Sequence, residues 1–275
     1  STVFCCVFYY TWLHLRFVRE HEEALISEQR IQIMISQIND CVGAYVSYGM
    51  AQLADYRIHD VRMNRNGIYY QISYKGKDYS ISASLQGLSS VYNLTAAIVA
   101  LCEKGHEMEQ VCKVFQDVPN VDGVMERVDN EYDIIVDCAY DIRSIEEVCH
   151  YARFVANRNK AIGVIGIDYS DGDKRLEKII KIAEKYLDVI ILTENESLEG
   201  EVMEILERTD RYTGNSRIIH CSTRSLAIEN AIEIMNRKDV TVIIGKGNEN
   251  YLSMALGKQY YKGDKYYAEK YINKR

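Results

Sequence analysis

The chain is 275 residues long, which is enough for one large domain or two modest domains with a buried core. Hydrophobic residues make up 47% and charged residues 27%, proportions that exclude a disordered, collagenous or low-complexity chain. The 40 acidic side chains outnumber the 33 basic ones and give a net charge of −7, which argues against a nucleic-acid partner.

The amino-terminal residues 1–17 are largely apolar but are interrupted by Arg16. No run in the chain approaches the roughly 18–20 uninterrupted apolar residues of a membrane span. Without a basic leader or a small-residue cleavage site, no signal peptide is predicted. We predict a buried strand entering a helix, then a charged helix over residues 18–40, in a cytoplasmic protein with no membrane partner. The start at Ser1 rather than Met suggests a piece of something longer.

The eight cysteines form no C-x-x-C pair, and no Cys/His spacing fits a zinc site. They stand at positions 5, 6, 41, 102, 112, 138, 149 and 221. We therefore predict reduced, mostly buried thiols and no metal site.

Two runs of alternating apolar and polar residues, 68–74 and 79–85, flank a Lys-Gly-Lys-Asp turn at 75–78. This pattern predicts a β-hairpin. Apolar residues from Val91 to Cys102 then recur at helical spacing and predict a helix that stops at Gly105. A second, short helix is predicted over 107–115, and Pro119 and Gly123 mark a break.

Beyond the break, strands and helices alternate. Short strands rich in Ile and Val are typical of a parallel sheet covered on both faces. We predict strands over 132–137, 161–167, 188–192, 217–221 and 240–244, helices over 144–156, 174–186, 198–208 and 225–236, and two further helices after the last strand. The fold class is therefore α/β, with an open, Rossmann-like sheet from about residue 128 to the end.

In such a sheet, ligands bind beyond the carboxyl ends of the strands. Four of the five predicted strand ends carry small, acidic or amide residues, at 137–141, 166–175, 193–197 and 245–249. This crowding suits a ligand that bears an amine or a metal. It equally suits solvated loops and helix caps, for which Asp168, Asp173 and Ser197 are well placed.

Several common nucleotide and hydrolase motifs are missing. The chain has no G-x-x-x-x-G-K-[ST] phosphate loop, no G-x-G-x-x-G after the first α/β strand and no G-x-S-x-G elbow. The carboxy-terminal residues 258–275 carry six basic and two acidic side chains among five tyrosines. That composition favours a solvated amphipathic helix over a phosphate-binding surface.

The order of the motifs resembles the Mur ligase family, nearest the branch that adds a diamino acid to the UDP-N-acetylmuramoyl dipeptide. The V-S-Y-G at 46–49 and V-Y-N-L-T-A-A-I at 91–98 resemble the end of its central ATP-binding domain. Residues 118–127 resemble its P-G-R-M-E linker, and 135–140 resemble its V-D-Y-A-H. T-E-N-E at 193–196 stands at its D-N-P-x loop, and G-K-G-N-E at 245–249 resembles G-K-G-H-E.

The resemblance implies two domains: 1–127, the end of a Mur-type central α/β domain that includes the hairpin but lacks the phosphate loop, and 128–275, the Rossmann-like carboxy-terminal domain. It implies an ATP- and Mg²⁺-dependent ligase of peptidoglycan precursor synthesis. ATP would phosphorylate the carboxylate of a UDP-N-acetylmuramoyl peptide, and an amino acid amine would attack the acyl phosphate. The phosphate-loop half could come from a separate chain.

By the same resemblance, Asn93 would contact the nucleotide, and Asp137 would be a catalytic and nucleotide-binding residue on the ATP side of the cleft. Asn195, Gly245 and Glu249 would hold the amino acid. A carboxylate such as Glu249 at a strand end can pair with a substrate ammonium.

The chain departs from the family motifs at several charged positions. Val124 replaces an arginine, and Tyr140 and Asn248 replace histidines. Residues 196–197 replace the loop arginine that would clamp a distal carboxylate, which favours lysine or another amine over diaminopimelate. Three hypotheses stay open: part of an active ligase, a catalytically inactive Mur-like binding or interaction module, and an unrelated nucleotide-binding α/β protein.

Overall fold

A computed structural model describes residues 46–168, 171–196, 202–214, 217–254 and 257–275. The strand and helices predicted before residue 46, with Cys5, Cys6 and Cys41, lie outside these ranges. The chain divides into two compact units after Pro119. Over the described ranges, no helix has the length and apolar character needed to cross a membrane.

The first unit is a four-stranded sheet covered by helices. Its strands are β1 (Tyr48–Gly49), β2 (Tyr56–Asn64), β3 (Gly67–Tyr74) and β4 (Lys77–Ala83), in the order β1-β2-β3-β4. β1 and β2 are parallel, and the other pairs are antiparallel. The helices are α1 (Leu88–Glu103) and α2 (Met108–Val114), followed by a 3₁₀ turn (Phe115–Asp117).

The predicted hairpin is confirmed as β3 and β4. Lys75 and Gly76 form its turn, both with positive φ, as a two-residue type I′ connection requires. Strand β2 was missed because its register shifts between His59 and Arg62 and interrupts the alternation of apolar residues. The inward face of the sheet packs isoleucines against α1, with Ile72 fully buried.

The second unit, Asn120–Arg275, is the predicted α/β domain. Its strands are β5 (Glu126–Arg127), β6 (Asp133–Asp137), β7 (Ala161–Asp168), β8 (Val189–Glu196), β9 (Arg217–His220) and β10 (Val240–Ile244), in the order β5-β6-β10-β7-β8-β9. All are parallel except β5, a two-residue edge strand too short to show in the sequence. Because β5 pairs with β6, residues 120–127 pack with the second unit, whereas the expected boundary followed residue 127.

Helices cover both faces of this sheet. They are α3 (Ile142–Ala156), α4 (Asp173–Tyr186), α5 (Val202–Arg208), α6 (Arg224–Ile234) and α7 (Asp264–Ile272). α3, α4 and α5 share one apolar core with alternate strand residues such as Ile165, and α6 and α7 share the other with residues such as Val164. A strand buried on both faces is thus continuous in Ile and Val.

The prediction of two helices after β10 was wrong for the first of them. Residues 251–260 instead form an antiparallel hairpin of β11 (Tyr251–Met254) and β12 (Gly257–Tyr260). Leu252 and Met254 are good helix formers, so local propensity favours a helix. The cross-strand pairing, which places Tyr251 beside Tyr260, overrides it.

Candidate functional site

Four parallel strands bring the predicted strand-end segments side by side. β6, β10, β7 and β8 are neighbours, and the register sets Ile244 beside both Asp137 and Ile165, and Gly166 beside Thr193. We call the residues that end or follow these strands the strand-end edge; in the described chain they are 137–141, 245–249, 166–168, 171–175 and 193–196. The acidic and amide residues of these segments therefore share one edge of one sheet.

Asp137 is buried at this edge, and its carboxylate binds backbone. One oxygen accepts from the Met125 N–H and the other from the Ala139 N–H, each at 2.7 Å. Burial raises the pKa of Asp137, and these two N–H groups offset only part of the rise. The Asp137 carbonyl accepts from the Gly245 N–H at 2.9 Å. Asp137 thus binds the turn before β5 and the end of β10. Its catalytic and nucleotide-binding roles stay predictions.

Two glycines let three turns meet backbone to backbone beside Asp137. A Cβ on Gly123 would lie 2.1 Å from the Asn248 nitrogen, and one on Gly247 would lie 2.6 Å from the Gly123 oxygen. The Cys138 N–H donates to that same oxygen at 2.9 Å. Cys138 is exposed, but partial desolvation and the nearby Asp137 raise the pKa of its thiol, which keeps it protonated at neutral pH.

Asn195 presents a buried amide oxygen at the edge. Its Nδ2 donates to Asp168 at 3.2 Å, whereas its Oδ1 accepts no hydrogen bond from the described chain. The buried Thr193 hydroxyl, on the same face of β8, is likewise unpartnered there. A Cβ on Gly166 or Gly245 would lie 2.8 or 2.7 Å from Asn195 Oδ1, so only glycines leave room for it. An unsatisfied buried acceptor costs about 1–3 kcal/mol, which a ligand donor would recover.

Glu249 lies at the same edge and is paired with a lysine. Its Oε2 lies 2.9 Å from Lys246 Nζ, and the Lys246 side chain is only 1% exposed. Lys246 Nζ also lies 5.2 Å from the centre of the Tyr251 ring. The Glu249 side chain is 39% exposed, so a ligand can reach it, although any substrate ammonium shares it with Lys246.

Sequence reasoning missed a buried ion pair beneath this edge. Arg224, the first residue of α6, binds Asp264 through Nε and Nη2, both at 2.7 Å, and neither side chain is exposed. Although burial lowers it, the pKa of Arg224 is raised overall because Asp264 lies against it. Tyr261 donates to Asp264 at 2.8 Å. Forty residues separate the partners, so no local pattern marks the pair.

The helix-cap interpretation was wrong for both aspartates, Asp168 and Asp173. The N-cap position of α4 is occupied by Gly172, and Asp173 lies in the first turn, paired with Arg208. Asp168 ends β7, and its N–H donates to the Asp171 carboxylate at 3.0 Å. Ser197 lies outside the described residues.

The remaining candidates divide between the two units. Asn93 lies in the first unit, exposed on α1, and its nucleotide contact stays a prediction. Among the described cysteines, Cys112, Cys149 and Cys221 are buried, as predicted, and Cys102 is half-buried. Within the described ranges no three His, Cys, Asp or Glu side chains are grouped as metal ligands.

Comparison of sequences relates the second unit to a known family. Residues 123–247 match the family model described as Mur ligase, glutamate ligase domain. The chain is 32% identical, over 211 residues, to the UDP-N-acetylmuramoyl-L-alanyl-D-glutamate--2,6-diaminopimelate ligase of Aquifex aeolicus, covering 76% of this chain and 43% of that protein. The ligase of the same name from Halalkalibacterium halodurans is 29% identical over 213 residues, with 76% and 43% covered. The chain thus spans less than half the length of these relatives.

Solved structures share the fold. A structure of UDP-N-acetylmuramoyl-L-alanyl-D-glutamate--2,6-diaminopimelate ligase aligns with a TM-score of 0.61 and 20% identity, over 90% of this chain and 51% of that one. The folylpolyglutamate synthase of Mycobacterium tuberculosis aligns with a TM-score of 0.61 and 14% identity, over 80% and 50%. At these identities the likeness concerns the fold alone.

Proposed function

The chain belongs to the Mur ligase family, and from that premise we propose that it is the carboxy-terminal part of an ATP-dependent amide ligase of cytoplasmic peptidoglycan precursor synthesis. The acid is the carboxylate of a UDP-N-acetylmuramoyl peptide, and the amine comes from an amino acid. The carboxylate takes the γ-phosphoryl group of ATP, and ADP leaves. The ammonium of the amino acid then loses a proton, its neutral nitrogen attacks the acyl carbon, and inorganic phosphate and a second proton leave as the amide forms. To the strand-end edge we assign the binding of the amino acid.

The observation that carries the proposal is the unpartnered Asn195 oxygen. It is a buried acceptor that lies against Gly166 and Gly245, with the Asp168 carboxylate on the other end of the same amide. A substrate ammonium supplies N–H donors and a positive charge, both of which this arrangement favours. Glu249 follows β10, whose terminal Gly245 lies against the Asn195 oxygen, and is proposed as a second acceptor for the same ammonium.

The charge of the edge favours an amino acid without a distal carboxylate. Within the described chain, Lys246 and Arg175 at this edge already face the carboxylates of Glu249 and Asp171, and Arg224, buried beneath the edge, faces Asp264. An additional substrate carboxylate would have to compete for these cations or pair with the exposed Lys174, where water screens the attraction. We therefore propose lysine or a related diamine-bearing amino acid in preference to diaminopimelate.

The described residues form no cradle for the phosphates of a nucleoside triphosphate. The chain contains no phosphate loop, both Asp137 oxygens are engaged by backbone N–H groups, and no metal-ligating cluster occurs in the described ranges. No phosphoryl-transfer step is therefore assigned to these residues. ATP and Mg²⁺ belong to the proposal only as cosubstrate and cofactor held by another part of the enzyme, on this polypeptide or a separate chain.

Calorimetric titration of the chain with lysine and with diaminopimelate tests the proposal. We expect saturable binding, tighter for lysine. Asn195→Leu keeps the branched shape of the side chain but removes the acceptor, together with the Nδ2 donor to Asp168, and Glu249→Gln removes the charge. Each should weaken binding at least about tenfold, the equivalent of 1.4 kcal/mol.

The matched control is Glu177→Gln. Glu177 is also a partly exposed glutamate paired with a lysine, Lys181, and it lies in α4 outside the segments that form the edge. It should leave the affinity unchanged. Absence of saturable binding to the unaltered chain, or equal affinities in all three variants, would overturn the proposal.

The second candidate, a catalytically inactive binding or interaction module, is favoured by one observation. Tyr140, which replaces a histidine of the family motif, is 71% exposed beyond the end of β6. Mixing the chain with the phosphate-loop portion of a relative, ATP, Mg²⁺, UDP-N-acetylmuramoyl dipeptide and lysine separates the two. Amide formation that depends on this chain supports the ligase, and amino acid binding without amide formation supports the module.

A further inference from the structure

We propose that Arg224 is a positioning residue of the amino acid site and that the carboxy-terminal helix α7, through Asp264, holds it in place. The inference rests on the proposed function, because it assigns to the buried ion pair the task of shaping that same site. Neither residue is exposed. Arg224 thus acts through the residues of the edge and does not itself reach the surface.

Arg224 joins the ends of the two strands that carry the proposed amino acid ligands. Its Nη2 donates to the Ile244 carbonyl at 2.9 Å, and its Nη1 lies 3.5 Å from the Glu194 carbonyl. These two residues directly precede Gly245 and Asn195. The guanidinium therefore sets the relative positions of the two backbone segments from which the site is built.

The guanidinium also occupies the space that the edge glycines leave open. A Cβ on Gly166 would lie 2.6 Å from Arg224 Nη1 and 2.7 Å from the Cβ of Asn195. A Cβ on Gly245 would lie 3.5 Å from the same Nη1. Arg224 is thus packed against the Asn195 side chain whose oxygen is unpartnered, so a shift of the guanidinium displaces that oxygen.

Asp264 is what keeps the guanidinium there. A buried charge needs a counter-ion, and the two parallel hydrogen bonds to Asp264 fix the plane of the guanidinium as well as its charge. Asp264 is the first residue of α7, and Tyr261 orients its carboxylate from the preceding loop. Docking of α7 therefore determines whether Arg224 can bridge the ends of β8 and β10.

A second arginine, Arg275, serves as the control for Arg224. Arg275 also ties the carboxy-terminal segment to α6, through the Ile232 and Met235 carbonyls. Both carbonyls lie at the carboxyl end of α6, which leads into the start of β10. They are therefore at the opposite end of the strands from the strand-end edge. Arg224 and Arg275 thus both fasten the carboxy-terminal segment, but only Arg224 touches the site.

The test measures two quantities on the full chain. The first is lysine affinity by calorimetry, and the second is amide hydrogen exchange of residues 193–196 and 244–247 without ligand. Arg224→Lys keeps the charge but loses the paired hydrogen bonds, and Asp264→Asn removes the counter-ion. We expect each to weaken binding at least about tenfold and to speed exchange at these two segments. Asp264→Glu should recover part of the affinity lost in Asp264→Asn, because it restores the charge.

The control Arg275→Lys should lower the melting temperature while leaving the affinity and the exchange of these segments unchanged. If Arg224→Lys behaves like the unaltered chain in both measurements, or if Arg275→Lys weakens binding as much, the proposal is overturned. If Arg224→Lys fails to fold, Tyr261→Phe, which removes one hydrogen bond to Asp264, decides by the same criteria at smaller amplitude. If the unaltered chain binds no amino acid, the proposed function fails, and the exchange measurement alone still decides the positioning role.

Discussion

Single positions at the strand-end edge matter as much for the side chains they lack as for those they carry. Gly166 and Gly245 leave the volume that the Asn195 amide and the Arg224 guanidinium share. The edge is therefore polar but tightly packed. Close packing around its acceptors reduces the side-chain entropy that the protein loses when a ligand binds.

Gly123 offers a direct test of this packing. We expect Gly123→Ala to destabilise the second unit by about 3 kcal/mol or more, because the new Cβ would lie 2.1 Å from the Asn248 nitrogen and neither backbone can yield without disturbing Asp137. Urea denaturation measures the loss.

The control is Gly76→Ala in the hairpin turn. Gly76 has a φ of 75°, close to the 72° of Gly123, but a Cβ there meets nothing within 4 Å. It should cost only the left-handed strain of about 1–2 kcal/mol. Equal losses of unfolding free energy at Gly76 and Gly123 would show that the close approach of Gly123 to Asn248 contributes nothing.

At the scale of elements, the helices of the second unit begin in different ways. Asp141 caps α3, with one carboxylate oxygen accepting from the Arg143 and Ser144 N–H groups, both at 3.0 Å. Thr223 caps α6, whereas α4 has no side-chain cap. Asp141 follows β6 at the strand-end edge, so the cap also fixes the direction in which the chain leaves the edge.

We expect Asp141→Ala to lower the free energy of unfolding by about 1 kcal/mol at neutral pH. Burial raises the pKa of Asp141, but the Ser144 hydroxyl and the two N–H groups lower it more, so its folded pKa lies below its unfolded value. The stabilisation is then fully present above the unfolded pKa of about 3.9 and is lost as the pH falls through the folded pKa. Denaturation curves of the two proteins should converge in acid; a difference that stays constant with pH would contradict this assignment.

At the scale of the whole molecule, the chain consists of two compact units, each with its own apolar core. The second carries the sheet, both helical layers and the candidate amino acid site. It is also the unit that contains the matched ligase domain. The chain spans 43% of the Aquifex aeolicus relative, and only the amino acid site of the proposed reaction is assigned to the described residues.

We expect the chain alone to release no ADP from ATP above the buffer background, because it contains no phosphate loop to cradle the triphosphate. A coupled assay for ADP on contaminant-free protein measures this. The same assay with an intact relative is the positive control. Sustained ADP release that copurifies with the chain would refute the assignment of ATP binding to another part of the enzyme.

The sequence by itself determined the order of the five parallel strands of the second unit and of the helices between them, because a strand buried on both faces has to be continuous in Ile and Val. It also placed Asn195, Gly245 and Glu249 at strand ends, since the carboxyl ends of parallel strands meet at one edge. Motif order identified the family. All of these are local properties of short segments.

Only the tertiary structure decided how those segments act together. The pairing of Arg224 with Asp264 joins residues forty positions apart, and the burial of Lys246 beside Glu249 depends on the packing around them. At 251–260, strand pairing replaces the helix that local propensity favours. The local sequence around a charged residue does not show whether its side chain is solvated or buried against a partner. Its environment, and with it the chemistry of the site, is set by packing that no local window contains.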